Sequence, residues 1–194
     1  MKLYRIDGPL GAIEIGSGVT GATACKVCGR YSAGKRLDPD FELVSEHRKL
    51  WVTDRLRLLV PRLAVSELGA SAVGRSVNVS WRDGFGDGTP PSDLELVVPR
   101  VGIAAAPQVV KRQECICRQV RSIDLEPLLI AEKPTEDEDG VWFLEENPDI
   151  TLISERAREV LQGLAPDLET VEVYTPAEVP ERVPGPSGDD WSDV

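Results

Sequence analysis

Apolar and polar positions alternate in short runs along most of this chain, and helical spacing is confined to a stretch near its end. Lys2-Leu3-Tyr4-Arg5-Ile6 alternates and predicts a first strand, followed by a turn at Gly8-Pro9. Ala12-Ile13-Glu14-Ile15 reads as a second short strand, leading into a glycine-rich loop. Between residues 40 and 60 the pattern is mixed. Leu43, Val44, Leu50 and Val52 suit strands, and Asp54 to Val60 suits a short helical turn stopped by Pro61. Another helical turn is predicted over 64–70. Ser76-Val77-Asn78-Val79-Ser80-Trp81 alternates cleanly as a half-buried strand, and residues 83–91, rich in Gly and Pro, form a loop. Leu94–Val98 is a further strand, Val109–Gln113 leads into another, and Leu128-Leu129-Ile130 is an apolar run after a stretch of alternation.

The principal helix is predicted after Ser154. Ser154 suits the N-cap, Glu155 complements the positive end of the helix dipole, and Ala157, Val160, Leu161 and Leu164 fall on one face. Gly163 and Pro166 stop it, and Glu169-Thr170-Val171-Glu172-Val173-Tyr174 follows as a strand. The expected fold class is α+β, a mainly antiparallel sheet with one principal C-terminal helix, in a single domain over residues 1–175. Residues 176–194 turn to Pro, Gly, Ser and acid, and read as a disordered tail.

Length and composition narrow the classes. The chain has 194 residues, enough for one ordinary domain, and 41% of them are hydrophobic, enough for a core. Aromatic residues are only 5%, so that core falls mainly to Leu, Val and Ile. No stretch approaches the roughly 20 apolar residues of a membrane span, and the first residues carry no apolar signal region. A cytoplasmic location is the expectation. The 33 acidic against 22 basic residues give a formal charge of −11, which repels nucleic acid and suits a basic protein partner.

Candidate chemistry centres on the four cysteines. Cys25-Lys26-Val27-Cys28-Gly29-Arg30 and Cys115-Ile116-Cys117-Arg118 form two close pairs far apart in sequence. Two such knuckles, over 25–30 and 115–118, supply the four thiolates of a tetrahedral structural Zn2+ site, with Gly29 allowing the sharp turn. A closed thiolate site leaves no position for a reacting water, so this metal stabilises rather than catalyses. Four ordinary thiols, or a redox Cys-x-x-Cys pair, are the competing readings.

Two other motifs carry less. Gly16-Ser17-Gly18-Val19-Thr20-Gly21 matches the dinucleotide fingerprint in letters, but Cys25 to Arg30 stands where its helix belongs, so a loop is expected. His47 is the only histidine and has no serine elbow or second histidine to work with. The chain is therefore not expected to be an enzyme. The acidic run Glu132-Lys133-Pro134-Thr135-Glu136-Asp137-Glu138-Asp139 leads into Val141-Trp142-Phe143-Leu144-Glu145-Glu146. One reading is a solvated loop before a strand. The sharper one takes Trp142 as an aromatic anchor rimmed by Glu136, Asp137, Glu138, Asp139, Glu145 and Glu146, a docking surface for a basic protein.

The start Met1-Lys2-Leu3-Tyr4-Arg5, the knuckle Cys25-Lys26-Val27-Cys28-Gly29, the later cysteine cluster and the closing unit from Asp149 to Leu161 together resemble the double-CXXCG family. The resemblance spans most of residues 1–175, and the second Cys-x-x-Cys-Gly is here Cys115-Ile116-Cys117-Arg118, one residue shorter and without the glycine. Some members of that family are immunity proteins of swarm-inhibition toxin–immunity pairs. The resemblance implies a non-enzymatic protein that binds and neutralises one cognate toxin. A nuclease toxin would offer a basic cleft in which carboxylates of 132–149 or of the tail take the place of phosphates. The alternatives are a zinc-ribbon adaptor or regulator with another protein partner, and a nucleotide-binding enzyme using Gly16–Gly21.

Overall fold

The computed structural model describes residues 1–8, 12–15, 41–43, 50–53, 58–84, 86–111, 122–135 and 138–179. Within them the strands are β1 (Leu3–Gly8), β2 (Ala12–Ile15), β3 (Phe41–Leu43), β4 (Trp51–Thr53), β5 (Leu58–Pro61), β6 (Ala72–Ser76) and β7 (Val79–Trp81). They continue with β8 (Leu94–Pro99), β9 (Gly102–Ile103), β10 (Val110–Lys111), β11 (Ser122–Ile123), β12 (Val141–Leu144), β13 (Asn147–Ser154) and β14 (Glu169–Val173). Helix α1 (Arg62–Val65) is one turn, and α2 (Glu155–Leu164) is the longer of the two. The fold is mixed α+β and mostly strand, as the alternation predicts. Among the described residues no helix is long and apolar enough to cross a membrane.

Five strands form one sheet in the order β14-β1-β13-β12-β9, antiparallel except where β9 joins β12 in parallel. The alternation in β1 sorts its side chains between two cores. Leu3 packs on the side covered by residues 103–109 and 128–130, whereas Tyr4 and Ile6 face the second sheet. Strand β13 repeats the division, with Ile150 and Leu152 on the first side and Ile153 on the other. Each such fully buried aliphatic side chain contributes about 1.5–3 kcal/mol relative to exposure.

Seven strands form the second sheet, in the order β6-β8-β5-β4-β2-β3-β7. Here β6 and β7 stand at opposite edges, yet only Val77 and Asn78 separate them. A flat sheet would hold those edges roughly 29 Å apart at about 4.8 Å per strand, and so short a link spans only about 10 Å. The sheet therefore curls on itself, like a barrel whose last strand is the bent continuation of its first. Phe41, Leu43, Leu59, Leu94 and Leu96 fill its concave side, with Val77, Val79, Trp81 and Val98 packed against them. Leu58, Val60 and Val97 face outward onto Tyr4, Ile6, Val141 and Ile153 of the first sheet, with Ala157 and Leu161 of α2 in the same cluster.

Two sequence expectations change here. Residues 58–60 are strand and not a helical turn, because Leu58 and Val60 pack on one face while Leu59 packs on the other. An apolar run buried on both sides loses its period and is read equally well as either element. The predicted strand 76–81 is broken at Val77-Asn78, where the chain leaves β8 and joins β3. The helix after Ser154 and the strand that follows it stand as expected. Ser154 Oγ accepts from Ala157 N at 3.2 Å, a cap worth about 1 kcal/mol. Helix α2 ends at Leu164 because Pro166 holds Ala165 in extended backbone, φ −141°. Arg158 stacks 4.1 Å over the Tyr4 ring, and Tyr4 Oη donates to Glu155 at 3.3 Å, fastening α2 to β1.

Candidate functional site

The acidic segment does not converge on an aromatic centre. Glu138 and Asp139 precede β12, while Glu145 and Glu146 turn the chain into β13. At about 3.4 Å per residue the strand between keeps the two groups roughly 15–20 Å apart. Glu136 and Asp137 lie outside the described residues. Trp142 is 2% exposed, packed with Leu144 and Leu152 beneath residues 103–109 and 128–130, so its ring is core and not the expected surface anchor. Glu146 is half-buried, and its Oε2 accepts from Ala105 N at 2.8 Å, which ties the β12–β13 turn to the segment after β9. Glu138 and Glu145 are exposed, and Asp139 Oδ2 stands 3.6 Å from Arg156 Nη1.

What holds these carboxylates is stiffer than a loop. Gly140 N and Ala157 N both donate to Ser154 Oγ, each at 3.2 Å, so one hydroxyl caps α2 and pins the end of the acidic segment. Val141 N donates to Ser71 Oγ at 2.8 Å, and Ser154 N donates to Gly140 O at 3.0 Å. Gly69, at φ +88°, lies against the Asp139 carbonyl, where any side chain would meet backbone. Acidic side chains set on a frame bonded this way lose little entropy when a partner arrives.

The opposite end of the segment is clamped as well. Lys133 Nζ donates to Glu178 Oε1 at 2.7 Å, while Thr175 N and Oγ1 donate to Oε2, both at 2.9 Å. The sequence boundary at residue 175 therefore moves, since 176–178 form a turn bonded into the domain. These donors, the Lys133 ammonium first, hold the Glu178 carboxyl down at about 2. A depressed folded-state value stabilises above the unfolded value of about 4.3 and is lost as pH falls toward 2. The carboxylate is partly exposed, so solvent screening keeps the effect small. Glu178→Gln is expected to melt slightly below the parent near neutral pH, and the two melting curves should merge in acid near pH 2.

A groove that the sequence reading missed lies beside β14. Leu125, Glu126, Pro127, Val171, Glu172 and Tyr174 line an open space of about 400 Å3. Arg5 shapes one wall. It is opposite Val171 in the β1–β14 register and only 4% exposed; its Nη1 donates to Leu125 O at 3.0 Å and its Nη2 pairs with Asp7 at 2.8 Å. A buried guanidinium is costly unless paired, and here the pairing fixes the 125–127 wall over the sheet. Tyr174 Oη donates to Glu172 Oε2 at 3.2 Å; burial and that carboxylate raise the phenol's pKa and keep it a donor. The one sequence clue was Arg5 itself, a charge in a strand whose neighbours on both sides are buried.

Cys25, Cys28, Cys115 and Cys117 lie outside the described residues, as do His47 and Gly16–Gly21. Among the described residues no three His, Cys, Asp or Glu side chains gather to hold a metal. Val110 pairs with Ile123 and Lys111 with Ser122, so the connection bearing Cys115 and Cys117 starts and ends at one antiparallel rung. Its ends are then held about 5 Å apart. No protein-family model, no curated protein and no solved structure matches the chain.

Proposed function

We propose that this protein is a non-enzymatic binding protein that neutralises a basic polypeptide, an immunity protein for one cognate toxin. The observation that carries this reading is the acidic segment's frame. Glu138, Asp139 and Glu145 stand at the surface, while Ser71, Ser154 and Glu146 fasten the backbone on either side. Preorganised carboxylates on a chain of net charge −11 favour fast encounter with a basic face and disfavour acidic competitors. Cys25, Cys28, Cys115 and Cys117 are the residues that would hold a zinc ion, whose contribution is structural. The cytoplasm is the proposed compartment, since a toxin arriving from a neighbouring cell is met there.

The test is co-expression with each candidate toxin from neighbouring genes, reading growth rescue and the affinity of the purified pair. Reversing Glu138, Asp139 and Glu145 to lysine together should weaken the complex by about a hundredfold at low salt, and by less as salt screens the contact. Affinity that ignores both the reversal and the salt would remove the acidic surface from the proposal.

A further inference from the structure

We infer that the outer edge of β14 and the groove beside it form a docking strip for one extended, basic segment of a protein partner. The inference rests on the partner-binding reading above and adds to it a second surface, apart from the 132–146 region.

Backbone geometry exposes the strip. Tyr174 N donates to Leu128 O at 3.4 Å, and Tyr174 O accepts from Ile130 N at 2.9 Å, so the polar groups of Tyr174 point away from β1. Direction alternates with a period of two along a strand, so the N–H and C=O groups of Thr170 and Glu172 point the same way. Among the described residues no strand pairs with β14 on that side over Glu169–Glu172. The groove is touched by Val171 and by Glu172, which point to opposite faces, so it runs along the edge and not over one face. Val171 is 41% exposed and Leu125 37%, which offers an added strand apolar contacts beside its hydrogen bonds.

Charge selects the occupant. Glu126, Glu169 and Glu172 rim the strip, and Lys2, 3.9 Å from Glu172, is the counter-charge there. A second copy paired through β14 would set Glu169 and Glu172 against their own kind, which disfavours self-association. Residues 180–194 are a poor occupant also, with Asp189, Asp190 and Asp193, and with Pro180, Pro184 and Pro186 lacking a donor. A segment alternating Lys or Arg with aliphatic residues satisfies the backbone edge, the apolar groove and the carboxylates together.

The probe is a synthetic peptide of alternating lysine and valine, about seven residues long, titrated into the full isotope-labelled chain at about 150 mM salt. Amide shifts should concentrate at Thr170, Val171, Glu172 and Glu126. N-methylation of alternate peptide nitrogens, and separately Val171→Lys, should each weaken binding at least about tenfold while the melting temperature holds. A glutamate–valine peptide should not bind. Shifts scattered over all acidic surfaces, or binding indifferent to N-methylation and to Val171→Lys, would overturn the inference. So would β14 shifts that depend on protein concentration, which mean a second copy, or that change on removing residues 180–194, which mean the tail. Peptide binding at β14 without toxin rescue would retain this inference and defeat the immunity reading. Full rescue and unchanged toxin affinity in Val171→Lys would do the reverse.

Discussion

Trp142→Ala is expected to cost the fold about 3–5 kcal/mol, because the ring is 2% exposed and its removal leaves a cavity between β12 and the covering segment. A domain of ordinary stability holds about 5–15 kcal/mol, so a large fraction is at stake. For a chain of this size the melting temperature should fall by about 6–20 °C. The same substitution separates two views of the acidic segment. If Trp142 anchored a partner, truncation would weaken binding and leave the melting point alone. Glu145→Lys, on an exposed turn two positions beyond Phe143, should in contrast to Trp142→Ala leave the melting point within about 1 °C. Thermal denaturation of the two variants side by side gives the answer without any partner in hand.

The second large effect is expected at Cys25. Its replacement by serine removes one thiolate of the proposed zinc site, and a hard hydroxyl does not replace a soft sulfur on this ion. Loss of metal should destabilise by several kcal/mol, with metal content falling from about one zinc per chain toward none. A chelator should lower the melting temperature of the parent and leave the variant unmoved. Equal melting points and no zinc in the purified parent would set the metal aside. The immunity proposal would survive that result, since its docking surfaces rest on other residues.

The pattern of residues disclosed the local elements well where one physical signal dominated. At Ser154 the cap, the acid after it and the spacing of Ala157 and Leu161 all agree, and α2 and β14 are where they were expected. Leu58-Leu59-Val60 misled because both of its faces are covered, which erases the alternation that marks a strand. Closure of the seven-stranded sheet was beyond reach, since it depends on β6 and β7 choosing partners far away in sequence. Trp142 and Arg5 show the limit of reading side chains by type. An aromatic beside acids looked like an anchor and is core; an arginine in an alternating strand is buried, which its residue type does not announce. Which face of a strand is covered is decided by segments outside it in sequence, and for Arg5 the covering Leu125 is 120 residues away. The cysteine reading concerns residues outside those described.

The place of β1 has a consequence for synthesis. Leu3–Gly8 lies between β13 and β14, so both its neighbours come from the last third of the chain. A ribosome adding about 5–20 residues per second needs roughly ten to thirty seconds to supply them. During that interval a segment destined for the centre of a sheet waits without partners, its leucine, tyrosine and isoleucine available to any passing strand. Completion of the five-stranded sheet is thereby tied to the end of translation, whatever the rest of the chain has formed before it.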